Sequence, residues 1–141
     1  MSSLFTKIIQ GELPGHFVWR DERCVAFLSI APLRPGHTLV VPVQEVDHWL
    51  DVEPALNAHL FAVAQKVGQA IQSAFEPVKV GLMIAGLEVH HVHLHLVPIQ
   101  GLRDLDFAGA DHGAKPEDLA ASAQKLRGAL RAQGHAEVAD A

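Results

Sequence analysis

The sequence predicts an α+β fold with a mostly antiparallel sheet of about five strands, one long helix and one or two shorter helices. Three observations lead to this prediction. Several short runs rich in β-branched and aromatic residues are joined by short turns, which favours antiparallel neighbours. One long stretch has apolar residues at helical spacing, from Pro54 to about Phe75. The chain has 141 residues, 49% of them hydrophobic, which suits one domain with a real core.

The N-terminal part of the chain is predicted to form a short helix and three strands. Residues 3–10 carry apolar side chains on one side and are followed by Gly11, so we expect a helix that stops there. The prolines and the glycine between residues 30 and 36 indicate an ordered loop. The strands predicted around this loop are His16 to Trp19, Cys24 to Leu28 and His37 to Pro42.

The second half begins with the long helix, which Pro77 prevents from continuing. A fourth strand is predicted from Val78 to Ile84. The Asp- and Gly-rich residues 101–113 are expected to be irregular, and a last helix is expected at about 116–131, after which the chain should fray. We therefore expect one domain over residues 1–141, with a core of 3–99 and a variable C-terminal segment of 100–141.

The fifth predicted strand contains three histidines at alternate positions, followed by Pro98. Because alternate side chains of a strand point to opposite faces, His91, His93 and His95 should form one row. The apolar residues between them should face the core. A helix would instead spread the three rings around its axis. The sequence thus predicts a single site built on one sheet face.

A row of three imidazoles supports two kinds of chemistry. Three neutral rings can hold a zinc ion with one position left open. They can also bind an anion such as a phosphate and attack it, because neutral imidazole is a good nucleophile near pH 7. His37, at the start of the third strand, is a candidate partner of the row. The residues alone leave both alternatives open.

Composition excludes several classes of function. The net charge is −5, so the chain lacks the basic face that nucleic-acid binding needs. No apolar run approaches membrane-spanning length, and no signal segment precedes the first helix. Cys24 is the single cysteine, so no internal disulfide can form and a reducing compartment is expected. We expect a cytoplasmic setting.

The histidine strand also resembles a known signature. The pattern His91-x-His93-x-His95-x-x-Pro98 resembles that of the histidine triad (HIT) proteins, which are nucleotide hydrolases and transferases. The similarity covers residues 3–99 in the right order. It includes the opening helix, the segment 26–42 and the Ala85-Gly86-Leu87-Glu88-Val89 entry to the histidine strand. The resemblance implies a HIT-like fold.

The resemblance also implies a reaction. In the family the middle histidine, here His93, attacks the α-phosphorus of a nucleoside phosphate or phosphoramidate, and water then releases the nucleoside monophosphate. His91 and His95 would stabilise the charge on the phosphate oxygens, and His37 would adjoin them. A purine nucleotide or nucleotide conjugate would be the ligand. Its base and ribose would lie among Leu4, Phe5, Ile8, Phe27, Leu28, Ser29 and Ile30.

Some positions depart from the family pattern. Many members hold a structural zinc through two cysteines in the opening segment, a histidine after the central strand and the first triad histidine. This chain has Ser3, Thr6 and Glu45 at the first three places and His91 at the fourth. Without thiolates we expect no structural zinc and no required cofactor. Ser29 stands where an acidic residue commonly binds the ribose hydroxyls. Glu88 replaces a polar residue near the phosphate, and a carboxylate there would repel it.

Two further expectations follow from the resemblance. Family members commonly form two-fold homodimers through the long helix and an adjoining strand, and a homodimer is expected here. The altered nucleotide contacts also raise a second hypothesis, in which the chain binds nucleotides as an interaction protein with weak or absent catalysis. Turnover of a nucleotide conjugate distinguishes that protein from an enzyme.

Overall fold

A single antiparallel sheet organises the chain. The structure, a computed structural model, describes residues 2–140. Its five strands lie in the order β1-β2-β3-β5-β4, and every neighbouring pair is antiparallel. The strands are β1 (Phe17–Arg20), β2 (Cys24–Leu28), β3 (Thr38–Pro42), β4 (Lys79–Met83) and β5 (Leu94–Ile99). The predicted α+β fold with a five-stranded antiparallel sheet is confirmed.

Three helices accompany the sheet: α1 (Leu4–Ile9), α2 (Pro54–Phe75) and α3 (Pro116–Ala132). Ser3 caps α1, because its hydroxyl accepts a hydrogen bond from the backbone N–H of Thr6. Pro54 begins α2, since a first-turn residue needs no N–H donor, and Glu76 ends it in a left-handed conformation before Pro77. Short 3-10 turns at 102–105 and 107–109 occupy the segment predicted to be irregular.

The two faces of the sheet pack against different helices. One face carries the main core, where α2 and α3 pack on alternate residues of the strands, among them Val40, Leu94 and Leu96. The other face carries α1 and a second apolar cluster that contains Phe5, Ile8, Phe17, Val25, Phe27, Leu39 and Val41. Val92 also belongs to the main core, so the predicted alternation of core and histidine positions is confirmed.

The histidine strand begins later than predicted. The register of β3 and β5 pairs Val40 with Leu94, and continued by two residues it would place Pro42 opposite Val92. Pro42 has no N–H, and its carbonyl accepts the ring N–H of His91, so the ladder stops there. Val92 donates its N–H to the carbonyl of Val46 instead. His91 and His93 therefore precede β5, and only His95 lies within it.

The C-terminal residues do not fray as expected. The backbone N–H of Arg20 donates to Glu137, and that of Ala139 donates to Val18, so the tail lies beside β1. The ring of His135 also packs against Trp19. No helix within residues 2–140 combines the length and apolar character that spanning a bilayer would need.

Candidate active site

His93 is held with one ring nitrogen bonded and the other open. Its Nδ1 lies 2.7 Å from the carbonyl oxygen of His91, and a carbonyl can only accept, so Nδ1 carries the hydrogen. Burial lowers the pKa of His93, which keeps the ring neutral at pH 7. Nε2 then has a free lone pair, with no protein hydrogen-bond partner found for it among residues 2–140. His93 is therefore arranged as a nucleophile.

His95 carries its hydrogen on the other ring nitrogen from His93. The N–H of Leu33 donates to Nδ1 of His37 at 3.0 Å, so the hydrogen of His37 is on Nε2. That Nε2 donates to Nδ1 of His95 at 2.9 Å, which leaves the hydrogen of His95 on its own Nε2. The rings of His93 and His95 are 4.7 Å apart between centroids. A lone pair on His93 thus stands beside a hydrogen-bond donor on His95.

Burial maintains this arrangement of protons. It lowers the pKa of His37 to about 3 and that of His95 to about 4, with smaller contributions from the neighbouring histidines. Gly36 places His37 directly before β3 through a backbone φ of +98°, and a Cβ on Gly36 would lie 2.9 Å from the ring of Phe75. The chain of donors from Leu33 to His95 is therefore set by the backbone turn before β3.

His91 does not take the role that the sequence analysis gave it. Its ring is fully buried, its Nε2 donates to the carbonyl of Pro42 at 2.8 Å, and its Nδ1 lies 2.6 Å from the hydroxyl of Ser3. With both ring nitrogens bonded to protein, His91 has no donor left for a phosphate oxygen. Its contact with the site is its backbone carbonyl, which holds His93.

The side chains expected around the base and ribose fall into different groups. Phe5, Ile8 and Phe27 lie together in the apolar cluster on the sheet face that carries α1. The ring of Phe5 packs edge-on against the ring of His93, with 4.8 Å between their centroids. Leu28 was wrongly included, because alternation in β2 turns it into the opposite core, against α2 and α3. The remaining three, Leu4, Ser29 and Ile30, are partly or fully exposed, and so is Glu88, which was expected near the phosphate.

Sequence reasoning missed two parts of the site. A cavity of about 250 Å³ adjoins His93 and is lined by Asp47, His48, Trp49, Gly86, Leu87 and His90, among others. On the other side, the half-exposed ring of Phe107 packs against His95 at 5.1 Å. Trp49 and Phe107 are aromatic residues in otherwise polar connecting segments, and that signal could have identified them. A larger cavity of about 560 Å³, between residues 32–36 and α3, contains none of the four histidines.

Two groups of side chains contain residues of the kinds that bind metal ions. Ser3, Thr6, Glu45 and His91 come together as the sequence suggested, yet they hydrogen-bond to one another at 2.6–3.2 Å and offer hydroxyls in place of thiolates. This set does not fit a structural zinc ion. Across residues 2–140, the group spaced to hold a metal is Asp21, Cys24 and His59, away from the triad.

Comparison with known proteins places these features in a family. The family model described as "HIT domain" matches residues 10–102. "Protein hit" of Bacillus subtilis (strain 168) is 34% identical over 124 residues, which cover 82% of this chain and 86% of the relative.

Solved structures agree with this match. A zinc-bound histidine triad family protein from Mycobacterium smegmatis is 29% identical, with a TM-score of 0.81 over 94% of this chain and 96% of that one. A hypothetical histidine triad nucleotide-binding protein from Sulfolobus tokodaii strain 7 is 25% identical, with a TM-score of 0.79 over 91% of each chain. The chain therefore belongs to the HIT family, within the superfamily of nucleotide-binding hydrolases and transferases.

Proposed function

We propose that the protein hydrolyses or transfers the nucleotidyl group of small nucleotide conjugates, nucleoside phosphoramidates or related compounds, through a nucleotidyl-His93 intermediate. One observation carries the proposal: His93 and His95 lie side by side with opposite proton placement, a lone pair on one and a donor on the other. A nucleophile next to an oxyanion donor is what displacement at phosphorus requires.

The proposed reaction has two displacements. The lone pair of His93 Nε2 attacks the α-phosphorus, the phosphorus–nitrogen bond to the leaving amine breaks, and the amine departs with a proton from water. The N–H of His95 Nε2 stabilises charge on a non-bridging oxygen. Water then attacks phosphorus, the bond to His93 breaks, and a nucleoside monophosphate and a proton are released. No metal ion takes part, because the histidines supply both the nucleophile and the donor.

The proposal assigns different tasks to the surrounding residues. Phe5 fixes the orientation of the His93 ring by packing edge-on against it. Ile30, at 69% exposure, and Leu4 offer apolar surface to a base at the rim. The cavity at Trp49 receives the part of the conjugate beyond the phosphate. Glu88 is exposed and remains outside the phosphate contacts.

The second hypothesis, a nucleotide-binding protein without turnover, has one observation in its favour. The hydroxyl of Ser29 accepts a hydrogen bond from the N–H of Ala31 at 3.3 Å, so it is already engaged by its own loop. The hydroxyl keeps its hydrogen and one lone pair for the ribose, but it lacks the charge that an acidic residue would add to such a hydrogen bond. Binding of adenosine monophosphate together with no turnover of any conjugate would support this hypothesis.

Intact-protein mass spectrometry after brief mixing with an adenosine phosphoramidate tests the proposed function. We expect a transient adenylyl adduct on His93 that is absent from His93→Ala. His112→Ala is the matched control, because His112 is exposed in the C-terminal segment and the substitution should leave the adduct intact. An adduct on another histidine, or no turnover by the wild type across several purine conjugates, contradicts the proposal.

A further inference from the structure

A group of hydrogen-bonded residues joins the start of α1, the loop after β3 and the segment before β5. It consists of Ser3, Thr6, Glu45 and His91, and we call it the Ser3 network. One carboxylate oxygen of Glu45 accepts both the backbone N–H of Ser3 and the hydroxyl of Thr6, each at 2.7 Å. These two hydrogen bonds lower the pKa of Glu45, with the larger contribution from the N–H of Ser3. The network connects an exposed carboxylate to a fully buried imidazole.

Counting hydrogens shows which way the Ser3 hydroxyl points. The hydroxyl hydrogen of Thr6 goes to Glu45, and the backbone N–H of Thr6 goes to the oxygen of Ser3. Nδ1 of His91 has no hydrogen of its own, because the ring hydrogen is on Nε2 and goes to Pro42. The shortest contact of the Ser3 hydroxyl is this Nδ1, at 2.6 Å, compared with 3.2 Å to Thr6. Ser3 therefore donates to His91.

We propose that Ser3, held by Thr6 and Glu45, is a positioning residue for the nucleophile. With its ring fixed at both nitrogens, His91 cannot rotate, and its backbone carbonyl is held where it receives Nδ1–H of His93. The same contact anchors α1, whose Phe5 packs on both His91 and His93. The hydroxyls of Ser3 and Thr6 and the carboxylate of Glu45 thus hold the ring of His91 in one orientation.

This inference rests on the proposed function, so its test separates the two. The steady-state arm measures kcat and KM for an adenosine phosphoramidate in Ser3→Ala and Ser3→Thr. Because a small displacement of a reacting group lowers the rate with little effect on ground-state binding, we expect Ser3→Ala to lower kcat roughly tenfold. We expect KM to change by less than about twofold, and Ser3→Thr, which keeps both the hydroxyl and the helix cap, to restore kcat.

Two controls separate positioning from folding. Ser2→Ala removes an exposed hydroxyl one residue earlier and should leave kcat unchanged. Glu45→Gln keeps the oxygen that accepts from Ser3 and Thr6, whereas Glu45→Ala removes it. We therefore expect Glu45→Ala to lose more kcat than Glu45→Gln. Equal losses in these two variants would contradict a network held together by that oxygen.

The second arm does not depend on turnover. Nitrogen-15 NMR of the imidazoles should show the Nδ1 resonance of His91 shifted in Ser3→Ala and restored in Ser3→Thr. If that pattern appears but the wild type turns over no conjugate, Ser3 positions His91 and the proposed function is wrong. If Ser3→Ala keeps its kcat, or if Ser3→Thr fails to restore kcat or the resonance, the inference is wrong while the proposed function stands.

Discussion

Each histidine of the site has one ring nitrogen assigned by a neighbour of different chemistry. A backbone carbonyl takes the hydrogen of His93, an imidazole donates to His95, and a backbone N–H donates to His37. Since a neutral ring has one donor and one acceptor, each assignment fixes the character of the other nitrogen. Three similar residues thereby acquire three different roles.

Replacing His37 by Asn tests the donor chain. The amide oxygen of Asn can still accept from the N–H of Leu33, but the side chain is too short to donate to His95. His95 then loses the partner that keeps its hydrogen on Nε2. We therefore expect kcat to fall by about 100-fold, because a lost oxyanion donor costs about 10²- to 10³-fold and a group misplaced by about 1 Å costs about 10²-fold. A kinetic assay showing an unchanged kcat would remove His37 from the mechanism.

Buried neutral histidines should also make stability depend on pH. The folded pKa of His37, about 3, lies below the value of 6.5 for an unperturbed ring, so the unfolded chain binds more protons between these values. The stabilisation is complete above pH 6.5 and is lost as the pH falls toward 3. At pH 5 the loss is about 2 kcal/mol of unfolding free energy.

Urea unfolding at pH 7.5 and pH 5 measures this effect. We expect the wild type to lose more unfolding free energy between these pH values than His37→Asn does, by about 2 kcal/mol. His112→Ala, which removes an exposed histidine, should behave as the wild type does. Equal losses in His37→Asn and the wild type would mean that His37 is protonated in the folded state.

At the level of elements, much of the fold could be predicted from the sequence. The bounds of β2 and α2 agree with the prediction, because their ends coincide with local signals such as Pro54 and Pro77. The start of β5 could not be predicted, since it depends on where Pro42 of another strand comes to lie. The tail beside β1 likewise depends on a distant partner, and its own sequence gives no strand signal.

Removing residues 135–141 tests the contribution of the tail. The truncation would delete two backbone hydrogen bonds to β1 and uncover Trp19, which is otherwise buried. At roughly 1 kcal/mol for each hydrogen bond, plus the newly exposed apolar area, we expect a loss of about 3 kcal/mol. Differential scanning calorimetry should then record a melting temperature about 10 °C lower. An unchanged melting temperature would show that the pairing contributes nothing.

For the molecule as a whole, the site follows from the division between the two sheet faces. The alternation of residues 91–96 was enough to predict the histidine row and the opposed core. It was not enough to show that His91 turns away from the site, because that depends on Ser3 and Pro42, 88 and 49 residues away along the chain. The histidine pattern indicates which residues meet, whereas their individual roles depend on contacts made across the fold.

The two edges of the sheet differ in a way that bears on assembly. The tail partly covers β1 at one edge, whereas β4 forms the other edge and pairs only with β5 within residues 2–140. Val78 and Leu82 are exposed at β4, and they alternate onto the same side as Val80, which packs on the main core. An exposed apolar edge strand is a template for pairing with a second strand.

We therefore predict a homodimer that joins two β4 strands into a continuous sheet. Light scattering during gel filtration at about 50 μM should give a mass near twice 15.2 kDa. Leu82→Asp would place a carboxylate in the apolar edge and should give the monomer mass, because a desolvated charge without a partner costs several kcal/mol. Ile30→Asp is the control. It also replaces an exposed apolar side chain with a carboxylate, but in the loop after β2, so this variant should stay dimeric. A wild type that elutes as a monomer, or an unchanged dimer in Leu82→Asp, would mean that the edge of β4 is left unpaired between subunits.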